Sequence, residues 1–422
     1  MGNTVELKVE DIKTKPGVAQ STALAKGKIT DEGVAHLRGL INHEMRVPYR
    51  FNTEVARDTV RHFAWGVGDG NPLWLDPVYA SSTVYGAPTA PPSFLYTIHP
   101  TLVLVGLPGV HGFYSGCRWK IWRPLFVGDQ ITTTTWISDV VEKEGRLGGR
   151  SVYVYFSTLY GNTEGQAIAE ATGWSIRVER DKTKSRNKLG STEPRLWTPE
   201  ELEPVEEAQR NRVPRGAESR YWDDVNVGDE LDPLVKGPLT QTDMIAWYTG
   251  SQPAYTPAHE LALHHYHKHP KWAYRNAFSG ALEPNARVHD SIDAAKAAGV
   301  PAPYDVGLQR HHWLFQLLTD WSGDQGFVKA CDASYRGFNY FGDVLTLGGR
   351  ITAKFVDADG DHVVEIETRG VSQRGTDIIP GRAVVALPAR KGAESPVTRH
   401  TSWDLLVQDR LAEVVPDLVR VS

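Results

Sequence analysis

Two stretches of the chain carry hydrophobic and polar positions in the same order. In the first, the apolar run SFLYTIHPTLVLVG follows Pro91 and Pro92 and predicts a buried helix starting near Pro91. RWKIWRPLFVGDQITTTTWISDVVEKEG then alternates and is rich in β-branched and aromatic residues, which predicts strands separated by a turn at Gly128-Asp129. SVYVYFSTLY, GNTEG and QAIAEATGWSIRV predict a hairpin. In the second stretch YDVGLQRHHWLFQLLTDW is the apolar helix. YRGFNYFGDVLTLGGRITAKFVDADG answers the earlier strands, and HVVEIETRGVSQRGTDIIPGRAVVAL answers the hairpin.

Superposing the two Gly-Asp turns, Asp129 on Asp343, gives an offset of 214. At that offset Cys117 falls on Cys331, Asn71 on Asn285, Asp76 on Asp290, Ala80 on Ala294, and Asp69 on Glu283. Several residue types coinciding at one shift indicate an internal duplication. Farther upstream Ala64-Trp65 matches Ala246-Trp247 at an offset of 182, so the second half carries 32 extra residues, SQPAYTPAHELALHHYHKHPKWAYRNAFSGAL, beside the aligned turn. An insertion there is a candidate lid or pocket wall. The expected organisation is an N-terminal repeat over 1–180, a charged linker over 181–214 with one helix near Pro199 to Arg210, a C-terminal repeat over 215–390, and an extension over 391–422 that docks on the body or on a partner chain.

Composition narrows the function. A chain of 422 residues is too long for one ordinary core. A net charge of -5 gives no basic field, which argues against a nucleic-acid partner. Cys117 and Cys331 are the only cysteines, which excludes a disulfide framework, makes inert core thiols the default, and fits a reducing cytoplasm. No run of 18 apolar residues predicts a membrane span, and the start MGNTVELKVEDIKTK has no apolar signal core. The 13 tryptophans fill a core or wall an apolar pocket. His264, His265, His267 and His269 have no dedicated zinc spacing, so no metal is expected there.

The stretch from Phe63 to Ala80, FAWGVGDGNPLWLDPVYA, breaks a helical pattern with a Gly-Asp-Gly-Asn-Pro turn. Asp69 within it either caps the turn or does chemistry. This stretch resembles the signature of the MaoC-like acyl dehydratases, the (R)-specific type of enoyl-CoA hydratase: an aromatic, a small-residue stretch, Gly-Asp-x-Asn-Pro-aliphatic-His, then a small residue. Trp74 stands where that pattern has its histidine. The resemblance covers about residues 50–180 and 215–390. It implies the two-repeat form of the family, an α+β double hot-dog with two antiparallel sheets each wrapped around a central helix.

The resemblance further implies a hydro-lyase that adds or removes water across the 2,3-bond of an acyl thioester. An acid–base pair would do this without a cofactor, and a backbone N–H at the start of the central helix would hold the thioester oxygen. Its partner would be an acyl-CoA or an acyl-carrier-protein thioester, and chains would associate as a homodimer or higher homo-oligomer. A dehydratase working on a carrier-bound biosynthetic intermediate and a non-catalytic acyl-binding protein are the alternatives. With Trp74 unable to exchange a proton, the second repeat is the expected catalytic half and the first is expected to shape the substrate site. Its Glu283-Pro284-Asn285-Ala286-Arg287-Val288-His289 offers His289 as acid–base residue, Glu283 as carboxylate partner and Asn285 to orient. Asp305 is a rival acid and Gly307 the candidate oxyanion donor. Asp69 and Asn71 are surviving members of the first copy. Trp74, Tyr304 and Arg310 are candidate substrate contacts, and a buried Arg310 needs Asp305 or a substrate anion as partner.

Overall fold

The computed structural model describes residues 27–47, 50–103, 105–145, 149–163, 165–179, 195–251, 257–298, 300–391 and 395–401. Its strands are β1 (Thr89–Ala90), β2 (His111–Ile121), β3 (Leu125–Phe126), β4 (Ile131–Gly145), β5 (Gly149–Asn162), β6 (Ala167–Val178), β7 (Leu234–Lys236), β8 (Ala273–Arg275), β9 (Leu282–Pro284), β10 (Phe327–Ser334), β11 (Leu345–Val356), β12 (His362–Ser372) and β13 (Gly381–Ala386). The strands and hairpins expected from the alternating stretches are present in both repeats.

The two sheets expected from sequence are one. Nine strands form a single antiparallel sheet in the order β4-β5-β6-β2-β10-β13-β12-β11-β7. The junction is β2 with β10, from Ala330 opposite Lys120 to Ser334 opposite Gly116. Each repeat alone would leave this strand as an edge with unpaired N–H and C=O groups, and pairing the two edges satisfies both. Arg118 opposes Asp332, its counterpart at the repeat offset, so the junction lies on the local pseudo-twofold axis. Cys117, Trp119, Cys331 and Ala333 share the buried face of the junction, while Arg118 and Lys120 point to solvent. Burial raises both cysteine thiols, as inert core positions require.

The second repeat has the expected central helix, Gly307–Ser322, buried on almost every side. The first does not. Its apolar run gives only a 3-10 turn, Pro92–Phe94, and one α-turn, Leu95–Ile98. Pro100 forces His99 out of the helical region, to φ -152° and ψ 128°, and the helix ends there. The linker helix Pro199–Arg210 forms as expected, with Thr198 and Glu201 in a reciprocal capping box. The insertion contributes the helix His259–Lys268 and the separate β8–β9 hairpin. Of the C-terminal extension only the short helix Pro396–Thr401 is described; the rest lies outside the described residues.

Upstream of the two central segments, the helix Arg57–Val67 packs on its counterpart Gln241–Ser251. Glycines set how close they come. A Cβ on Gly66 would lie 2.6 Å from the Ala246 carbonyl oxygen, and one on Gly250 would lie 2.5 Å from that of His62. Replacing either glycine by alanine drives a methyl into a backbone carbonyl, an overpacking of about 1–3 kcal/mol. Gly66→Ala and Gly250→Ala are expected to lower the unfolding free energy by that amount, read as a fall in the urea midpoint, whereas Gly39→Ala, where a Cβ meets nothing within 4 Å, causes no such loss.

Candidate active site

The signature turn hangs from the end of the helix Arg57–Val67. Gly68 terminates that helix at φ 67°, a left-handed conformation that suits glycine. Asp69 follows, its N–H donating to Ala64 O at 2.9 Å. Its Oδ1 accepts the Asn71 N–H at 3.1 Å, and Asn71 Oδ1 in turn caps the helix Pro72–Leu75 by accepting the Leu73 N–H at 3.0 Å. Asn71 is thus a cap. Asp69 spends one oxygen on the turn and keeps the other free of it.

That second oxygen, Asp69 Oδ2, lies 3.3 Å from His312 Nε2. His312 belongs to the central helix of the other repeat. Its Nδ1 is hydrogen-bonded to the Ser93 hydroxyl, and its ring stands edge-on to Phe63 at 5.0 Å. A Ser93 O–H donated to Nδ1 leaves the ring proton on Nε2, facing the carboxylate. Ser93 occupies the position of Gly307 at the repeat offset. All three side chains are buried. Burial pushes the His312 imidazole below its ordinary range, and the nearby Asp69 carboxylate opposes that shift.

The last carbonyls of the helix Arg57–Val67 have no partner within the helix. The second repeat supplies partners. Lys236 Nζ donates to Val67 O at 3.2 Å and to Gly68 O at 2.8 Å, Trp313 Nε1 to Val67 O at 3.0 Å, and Gln316 Nε2 to Gly68 O at 3.4 Å. Burial draws the Lys236 ammonium down to about 8, with Asp69 and Asp320 opposing. Burial raises Asp320 to about 7, opposed by Arg212, whose Nε lies 3.2 Å away.

The site expected within the second repeat does not assemble. Glu283 is 3.2 Å from Arg287 and makes no pair with His289. The amide of Asn285 donates to Lys271 O at 2.8 Å. His289 Nδ1 donates to the backbone carbonyl of Tyr304 at 2.9 Å, and its ring rests edge-on against the Tyr304 ring. It does lie beside the start of the central helix, as expected, but with a carbonyl where a carboxylate was expected. Asp305 pairs with Arg310 at 3.0 Å and accepts from the Asn339 amide. Arg310 Nη1 also donates to Gly337 O at 2.9 Å, so this guanidinium is committed inside the fold. Gly307 opens the central helix, and a Cβ there would lie 2.5 Å from the Tyr335 ring, which accounts for the glycine by packing.

Trp74 is buried and lines a cavity of about 40 Å³ with Leu73, Thr89, Pro92, Thr319 and Phe327. Among the described residues no histidine group converges as metal ligands do. The one converging trio, Asp357, Asp359 and Asp361, already holds the ammonium of Lys329. No helix among them is long and apolar enough to cross a membrane.

A family model described as the FAS1-like dehydratase domain region matches residues 45–171. A UPF0336 protein of Parafrankia sp. (strain EAN1pec) is 30% identical over 131 residues, which are 28% of this chain and 80% of that protein. The (R)-specific enoyl-CoA hydratase of Aeromonas caviae is 33% identical over 93 residues, 22% of this chain and 66% of that enzyme. A solved MaoC-like dehydratase covers 84% of this chain with 100% of its own, at a TM-score of 0.58 and 17% identity. The chain belongs to the family of the UPF0336 proteins, and its likeness to the MaoC-like dehydratase is one of fold.

The signature turn and the histidine that faces it come from different repeats. Nothing in the spacing of the signature points to His312. The available signal was His311-His312 inside the otherwise apolar HHWLFQLL. Of the pair, His311 is held by the Tyr96 and Tyr335 hydroxyls and the Cys331 carbonyl, which leaves His312 to face the turn.

Burial carries a pH dependence of folding. Desolvation drives His99 and His311 down to about 3, whereas an unfolded imidazole titrates near 6.5. The unfolded chain therefore binds protons that the folded chain refuses in the window between. The imidazole contribution to stability is full above pH 6.5 and is lost as pH falls through it, by up to about 1.4 kcal/mol per imidazole per pH unit. Burial of Asp305 and Asp320, which raises both to about 7, acts in the opposite direction over the same window, so the imidazole part is read from a variant: on going from about pH 7 to about pH 5 the urea midpoint of His99→Gln is expected to fall less, or rise more, than that of the wild type.

Proposed function

We propose that this protein adds or removes water across the 2,3-bond of an acyl thioester, with Asp69 and His312 as the acid–base pair. The observation that carries this reading is the 3.3 Å approach of Asp69 Oδ2 to His312 Nε2, two buried titratable atoms from different repeats, neither having another hydrogen-bond partner. A water bound to both atoms is polarised by the carboxylate. Its oxygen adds to C3, its proton passes to the pair, and the pair returns a proton to C2. The reverse path protonates a 3-hydroxyl and releases it as water. Atoms balance without an oxidant or cofactor.

Ser93 orients the imidazole from the other side, and its backbone N–H, at the position of Gly307 in the repeat, is our candidate donor to the thioester oxygen. Trp74 and the cavity beside it shape the acyl end. The pair is sealed in this arrangement, so entry of an acyl group requires a wall to move. The same closure supports a second reading, acyl binding without turnover. CoA and carrier-protein thioesters share the reacting group and are both within the proposal.

The test is loss of the conjugated thioester absorbance with a panel of enoyl-CoAs of increasing length. Asp69→Asn and His312→Gln are each expected to lower kcat by about a hundredfold or more, with His289→Gln close to wild type. No turnover across the panel favours the binding reading, and wild-type rates in His312→Gln would remove the pair from the mechanism.

A further inference from the structure

The face of the central helix that begins at His312 carries a polar side chain at every fourth residue: His312, Gln316, Asp320 and, just past the helix end, Asp324. Residues four apart stand one above the other, about 6 Å along the axis. Each of the four is at most 4% exposed. Each also keeps one polar atom without a hydrogen-bond partner: His312 Nε2, Gln316 Oε1, Asp320 Oδ1 and Asp324 Oδ1. Their other polar atoms are fixed, by the Ser93 hydroxyl, Gly68 O, Arg212 Nε and the Tyr79 hydroxyl respectively. Asp69 Oδ2 and the Trp74 indole N–H, on the signature segment, are unpartnered as well. Unpaired buried polar atoms are few in folded proteins and call for a ligand or a reason.

The chemistry of these atoms selects the ligand. Gln316, Asp320 and Asp324 offer acceptors and the His312 Nε2–H a donor, so the ligand must both give and take hydrogen bonds. A step of about 6 Å is spanned by two hydrogen bonds of about 2.8 Å each through a single oxygen atom. Two buried carboxylates exclude a hydrocarbon tail from the same route. The reaction assigned to Asp69 and His312 consumes or releases one water per turnover. We propose, resting on that assignment, that the stripe Gln316–Asp320–Asp324 is a water line serving the pair, separate from the path of the acyl group. It meets solvent at its middle rung, Asp320, beside the partly exposed Arg212. Gln316 is the rung next to the pair, a positioning residue for water that does not itself exchange protons.

Two measurements test the line, one of them without substrate. With histidine labelled in 15N, Gln316→Leu keeps the bulk and removes the rung, and exchange of the His312 ring proton with solvent is expected to slow by about tenfold or more. Gln316→Asn, which keeps an amide on the rung, exchanges near the wild-type rate. In turnover, Gln316→Leu lowers kcat with little change in KM. Wild-type exchange at His312 in Gln316→Leu would overturn the line, as would a crystal structure with no ordered water against Gln316 Oε1 and Asp320 Oδ1. Slowed exchange in a protein that turns over no enoyl thioester would keep the line and remove the reaction.

Discussion

A carboxylate taken out of water needs a partner close by, and the partner of Asp69 is on the other repeat. Desolvation of an unpaired carboxylate is too unfavourable to leave it alone in a core. The fold around it can be read as the means of bringing His312 within 3.3 Å. Pairing β2 with β10 turns two sheets into one and sets the central helix of the second repeat beside the shortened helix of the first. Gly66 and Gly250 let the two upstream helices touch at backbone distance. Lys236, Trp313 and Gln316 then clasp the carbonyls just before Asp69, so the turn that aims the carboxylate is held by the repeat that supplies the imidazole.

Duplication permits this division. The first repeat keeps the Gly-Asp-x-Asn-Pro turn but has Trp74 at the histidine position and a central helix cut off before Pro100. The second has no such turn; Glu283, Arg287 and Asp290 form a half-exposed ion cluster in its place. It keeps a 16-residue helix long enough to carry a histidine across the boundary. Neither repeat holds both members of the proposed pair, so that candidate site exists only in the fused chain.

The strands, the hairpins, the linker helix and the offset of 214 were legible because they depend on local periodicity and on residue types repeating in order. Fusion of the sheets was not, since edge pairing between Cys117 and Ala333 leaves no local trace in either strand. The shortened first helix was legible in principle: Pro100 sits inside the apolar run, and hydrophobicity alone outweighed it in the reading. The candidate site was half legible. Asp69 stood out by its turn. The histidine expected with it was His289, six residues past Glu283 in the aligned second copy, whereas the one that faces Asp69 arrives through space on the helix of the other repeat. A spacing rule describes a loop and its own helix, and it fails when the partner arrives by tertiary packing.

The comparison of two buried acids explains why chemistry is assigned to one and structure to the other. Asp305 and Asp69 each face a cationic or basic side chain on the central helix at about hydrogen-bonding distance, 3.0 Å to Arg310 and 3.3 Å to His312. A guanidinium stays charged at any pH a folded protein meets, so Arg310 exchanges no proton; its charge opposes the burial that raises Asp305 to about 7. Arg310 is further tied to the Gly337 carbonyl, which fixes its plane. An imidazole changes charge near neutrality, and burial holds His312 on the neutral side while Asp69 pulls it back. Of the two pairs only Asp69–His312 joins two side chains that can both exchange a proton, since Arg310 stays charged. That difference, together with the place of Asp69 in the signature turn, is why the proposed acid–base role falls on Asp69 and His312.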